Sequence, residues 1–173
     1  MIIKLDSPPF SGQYEEIIFD LAANSRGENW NYALFTTTQG LEWCGHFREG
    51  EINNFIIAIL EKSKIACIVS GGHGYIIDID KMKKIKDIEI SRIISLTSDN
   101  LASFILSTYY DLHRIDSNYH EIDITLPIKS DGIDFLRIND NKLFLDITEI
   151  GADMIQNLDF YLDLNDWKIK STG

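Results

Sequence analysis

Few side chains in this sequence stand at spacings that could do chemistry, and Cys44 and His46 in "WCGHF" come first. Residues two apart on a strand point to the same side, so this pair could reach one metal ion. A structural zinc site needs four ligands, usually as two close pairs, and no second pair accompanies this one. His113 and His120 stand alone farther along the chain. The residues therefore predict no metal and no cofactor.

Gly71-Gly72-His73-Gly74, inside "IACIVSGGHGYIIDID", has a glycine content that suits either a phosphate loop or a tight turn. A phosphate loop leads into a helix whose first amides face the anion, whereas this one leads into the strand-like "YIIDID". The glycines are expected to serve a hairpin that needs positive φ. Ser70 near His73 lacks the elbow spacing of a nucleophilic serine. Cys67 lies in an apolar run, where burial suppresses the thiolate. Asp78 with Asp80 and Asp163 with Asp166 are carboxylate pairs, but nothing in the sequence separates the pKa values of their members. Asp166-Trp167-Lys168 matches the Asp-x-Lys fragment of metal-dependent nucleases, in a chain whose charge repels DNA. Catalysis is not the expected activity.

That charge is the strongest bulk property. The 173 residues include 27 acidic and 16 basic side chains, for a net charge of −11. From Asp116 onward 12 acidic residues face 5 basic ones, a balance of −7. The single basic run is "KMKKIK", Lys81 to Lys86. Nucleic acids and acidic membranes are repelled by such a surface, and a basic protein is steered to it. No apolar stretch is long enough to span a bilayer, and the start lacks an export pattern. With only Cys44 and Cys67 present and no disulfide framework indicated, a soluble cytoplasmic protein is expected.

The elements that must position these residues are mostly strands. "NWNYALFTTT" and "LEWCGHF" alternate with period two around the turn "TQG", which predicts a hairpin. "FIIAIL", "IACIV" and "YIIDID" follow as short apolar runs, and Ile65 to Val69, apolar on both faces, is expected in a sheet interior. From "ISRIISLT" to "WKIKS" come eight further strand-length segments separated by Asx, Ser and Gly turns. Only the N-terminal part reads as a helix, over about residues 11–25, with Tyr14, Ile17, Ile18 and Leu21 on one stripe. Ser11 would cap it, and Asn24 with Gly27 would stop it.

The predicted fold is mainly β: an antiparallel meander, as a twisted sheet or sandwich over about 30–171, with one N-terminal helix packed on it in a single domain. The alternative is a propeller-like repeat of hairpins. The predicted function is a non-catalytic protein-binding domain that shows an acidic face to a basic partner, as an inhibitor or immunity-type protein does. Asp140, Asp146, Asp163 and Asp166 would supply the charge. Trp43, His46, His73 and Tyr75 are further binding candidates, although Trp43 and Tyr75 suit an inter-sheet core better. The alternative function is a small-ligand binder or enzyme with its site near Cys44, His46 and His73.

Overall fold

The computed structural model describes residues 1–21, 29–149 and 156–172, the last segment at side-chain level from residue 159. It is all β, with four sheets of four strands each. The chain divides into two compact units, Met1–Arg92 and Ile93–Gly173.

The first unit holds sheets 1 and 2. Sheet 1 is formed by β1 (Ile2–Leu5), β2 (Glu15–Phe19), β3 (Trp30–Thr36) and β4 (Glu42–Arg48), in the order β1-β3-β4-β2. β2 runs parallel to β4, and the other pairs are antiparallel. Sheet 2 is a plain meander of β5 (Phe55–Leu60), β6 (Ile65–Ser70), β7 (His73–Asp78) and β8 (Lys83–Asp87). β6 lies between β5 and β7 and all six of its residues are buried, as its unbroken apolar run requires. Phe19, Phe35, Trp43 and Phe47 of sheet 1 pack against Ala66, Ile68, Tyr75 and Ile77 of sheet 2. The Phe35 and Trp43 rings stack at 4.3 Å, and Phe19 stacks on Phe47 at 4.6 Å.

The second unit repeats the plan with two more meanders. Sheet 3 contains β9 (Ser95–Ser98), β10 (Phe104–Ser107), β11 (Leu112–Ile115) and β12 (Glu121–Ile124). Sheet 4 contains β13 (Ser130–Asn139), β14 (Lys142–Glu149), β15 (Gln156–Asp163) and β16 (Lys168–Ser171). Ile105, Leu112 and Ile124 of sheet 3 meet Ile133, Leu143, Leu145, Ile147 and Leu162 of sheet 4. Trp167 joins the edge of that core, with the Arg114 guanidinium 3.9 Å from its ring centre.

The expected N-terminal helix is not found. Glu15–Phe19 is a strand paired with Trp43–Phe47, while residues 22–25 and the Asn24–Gly27 stop signal fall outside the described residues. The helical stripe put Ile17 and Ile18 on one face. In the strand they part: Ile17 packs on the core and Ile18 is 67% exposed. Two adjacent β-branched residues and an open edge of β4 favour extended pairing over a short isolated helix.

Candidate functional site

Strand alternation decides where the candidates in sheet 1 go. Trp43, Gly45 and Phe47 point toward sheet 2, so Cys44 and His46 point to the opposite face. Trp43 is fully buried and its indole N–H donates to the Ile79 carbonyl at 3.1 Å. Tyr75 is also fully buried; its hydroxyl accepts from the Leu21 amide at 3.1 Å and donates to the Phe19 carbonyl at 3.4 Å. Burial pushes the Tyr75 phenol up to about 12. Both aromatics are inter-sheet core.

On the outer face of sheet 1, His46 lies edge-on to Tyr32, with ring centres 5.0 Å apart and its Nε2 3.5 Å from a Glu16 carboxylate oxygen. Cys44 is opposite Leu34 on one side and Glu16 on the other. Burial, with the Glu16 charge adding to it, pushes its thiol up to about 11, the wrong direction for a nucleophile. Burial raises the Cys67 thiol as well. His73 begins β7 on the side of Tyr75 and Ile77, facing sheet 1 from within the pair of sheets. Cys44 and His46 thus share a face, and His73 is not on it. No group of three or more His, Cys, Asp or Glu side chains among the described residues is placed to hold a metal ion.

The loop at His73 has a structural explanation. Ser70 pairs with His73 across a two-residue turn in which Gly71 and Gly72 have φ of 58° and 83°. The Gly71 backbone also meets the Glu49–Gly50 segment so closely that a Cβ on Gly71 would sit 1.6 Å from the Gly50 nitrogen. Asn54 ties the turn down: its carbonyl accepts from Gly71 at 2.9 Å and its side-chain oxygen from Gly72 at 3.0 Å. Ser70 is committed too, with Asn31 donating to its hydroxyl at 3.0 Å and the hydroxyl donating to the Arg48 carbonyl at 3.1 Å.

The carboxylate pairs resolve into turn and ion-pair chemistry. Asp78 holds the Lys81 ammonium at 2.6 Å, and Asp80 accepts from the Thr38 amide and hydroxyl, both at 2.8 Å. Asp163 and Asp166 share the Lys170 ammonium at 2.7 and 3.0 Å. That bond, with further hydrogen bonds from Asn165, holds the Asp163 carboxyl down at about 2. The Asp-x-Lys fragment is a turn in which Asp166 accepts from the Lys168 amide at 3.1 Å. Asp140 sits at the exposed β13–β14 turn with φ of 49°.

Asp146 differs from these. It lies on the face of sheet 4 turned away from the Leu143, Leu145 and Ile147 core, directly opposite Asp134 on one neighbouring strand and Asp159 on the other. Desolvation and then the charges of Asp159 and Asp134 raise its carboxyl above the ordinary range. Beside this row of three acids runs a second row of Arg137, Phe144, Tyr161 and Lys170. The Arg137 guanidinium lies 4.6 Å from the Phe144 ring centre, and Lys142 lies 4.7 Å from that of Tyr161. Asp134 and Asp159 escaped the sequence reading because only strand register shows that they join Asp146. The same holds for His113, treated as isolated, whose Nδ1 is 2.8 Å from Asp123 on the adjacent strand.

These features define an all-β protein with a polar, acid-lined sheet face in one unit and an apolar-centred one in the other. No family model and no curated protein sequence matches the chain. A likeness of fold is found in a chain of the solved structure titled "S. cerevisiae dbp5 l327v bound to nup159, gle1 h337r, ip6 and adp", with a TM-score of 0.51 at 12% identity. The likeness covers 92% of this chain and 44% of that chain, so this protein spans less than half its neighbour's length. Among the described residues, no helix is long and apolar enough to cross a membrane.

Proposed function

We propose that the protein is a non-catalytic, cytoplasmic binding domain that presents the Asp134–Asp146–Asp159 row to a basic protein partner, as an inhibitor or immunity-type protein would. The observation that carries this reading is the row itself: three carboxylates directly opposite one another across β13, β14 and β15, the outer two exposed. Like charges in opposed positions destabilise a sheet, and a cation seated over the row lowers that repulsion. Asp163 and Asp166, also recognised in the sequence, hold the Lys170 ammonium between them.

The row runs across the strands, which sets the geometry of a partner. Two strand spacings place its ends about 9.6 Å apart. Seven residues of helix rise about 10.5 Å, so Lys or Arg at i, i+4 and i+7 of a helix lying across the strands meets all three carboxylates. A helical peptide with that spacing should bind, and binding should weaken steeply between about 50 and 300 mM salt as the charges are screened. Asp146→Asn and Asp159→Asn should each weaken it several-fold, roughly 1 kcal/mol for the exposed Asp159. Titration calorimetry checks this; binding that is indifferent to salt, or unchanged in a triple Asp→Asn variant, refutes the acidic-face reading.

A further inference from the structure

Three like charges in a row attract a cationic helix but do not tell its two ends apart. Cations at i, i+4 and i+7 read nearly the same from either end, so the row fixes where the helix lies and not which way it runs. Direction requires an unlike charge at one end, and the neighbouring row of the same face supplies it. Arg137 lies opposite Phe144, one row along the strands from Asp134, Asp146 and Asp159, a step of about 6.8 Å.

A β-bulge puts it there. Asp134 pairs with Asp146 and Phe135 with Leu145, so regular pairing would set Leu136 against Phe144 on the acidic face. The register shift between Phe135 and Arg137 takes Leu136 out of the ladder and brings Arg137 into the row instead. Bulges re-aim side chains in this way and mark features that a fold retains. The Arg137 guanidinium is exposed and lies over the Phe144 ring, with no carboxylate among the described residues paired to it. The cation at the other end of its row, Lys170, is held between Asp163 and Asp166. Only the β13 end of this row therefore offers an uncommitted positive charge.

We infer that Arg137 sets the direction of the bound helix: the partner carries a carboxylate next to a terminal cation of its basic stripe, and Arg137 receives that carboxylate while Asp134 receives the cation. The inference rests on the acidic-row reading and narrows its partner from any cationic helix to one of mixed charge. A helix is about 10 Å across, so its flanks lie about 5 Å from its axis, within side-chain reach of the second row.

Four helical peptides of identical composition test this, each with Lys at i, i+4 and i+7 and one Glu immediately before or after the first or the last Lys. Adjacent residues stand about 100° apart around a helix, so the Glu falls on one flank or the other. Turning the helix end for end exchanges its ends and its flanks together, so two of the four can offer the Glu to Arg137 and two cannot. In titration calorimetry at about 50 mM salt, two peptides should bind roughly two- to fivefold more tightly than the other two, as one exposed ion pair allows. Arg137→Gln should bring all four to one affinity, and Arg137→Glu should reverse the preference; the side chain is exposed, so both variants should melt with the wild-type protein. Four equal affinities for the wild-type protein, or a preference that survives Arg137→Gln, overturns this inference and leaves the acidic-row reading in place. Failure of all four peptides to bind overturns both.

Discussion

Replacing Gly71 by alanine tests the account of the Gly-Gly turn most directly. At φ of 58° an alanine pays about 1 to 2 kcal/mol for the left-handed backbone alone. The new Cβ would also lie 1.6 Å from the Gly50 nitrogen and 2.3 Å from its Cα, so the two loops must separate. Separation strains the amide bonds from Gly71 to the Asn54 carbonyl and from Ile52 to the Gly71 carbonyl, now 2.9 and 3.4 Å. At about 1 kcal/mol for each bond, the total comes to about 3 to 4 kcal/mol. Gly12 is the matched control, because its φ is 79° but nothing lies within 4 Å of a Cβ there, so Gly12→Ala should cost only the backbone part. Denaturant unfolding read by tryptophan fluorescence in a Trp167→Phe background leaves Trp30 and Trp43 as reporters of the first unit. If Gly71→Ala loses no more stability than Gly12→Ala, the close approach to Gly50 is not what requires glycine there.

Two further outcomes follow from the titrating groups. Tyr75→Phe removes two buried hydrogen bonds and should cost about 1 to 2 kcal/mol at neutral pH. The folded phenol titrates at about 12, above its unfolded value, so its contribution is intact below about pH 10 and is lost as the pH rises through 12. The variant should therefore show a shallower alkaline fall in unfolding midpoint, and an identical fall in both proteins would contradict the assignment. Asp163 behaves in the opposite sense: its folded value of about 2 lies below the unfolded one, so its contribution is present above about pH 4 and disappears as the pH falls to 2. Asp163→Asn should flatten the acid limb over that window, measured by circular dichroism; an unchanged limb would remove the Lys170 bond as its cause.

Strand content was legible in the sequence because alternation and turn chemistry are local. "NWNYALFT" and "LEWCGHF" became β3 and β4, and the two-sided apolar run at Ile65 took an interior position in sheet 2. Glu15–Phe19 was misread because five residues fit both a helical stripe and a strand, and only the edge offered by β4 decides between them. The acidic row was legible only as a bias in composition. Asp146 could be named, but its meeting with Asp134 and Asp159 depends on the pairing of three strands, one of them shifted by a bulge between Phe135 and Arg137. Asp163 looked equivalent until Lys170, seven residues on, folded back through the β15–β16 turn.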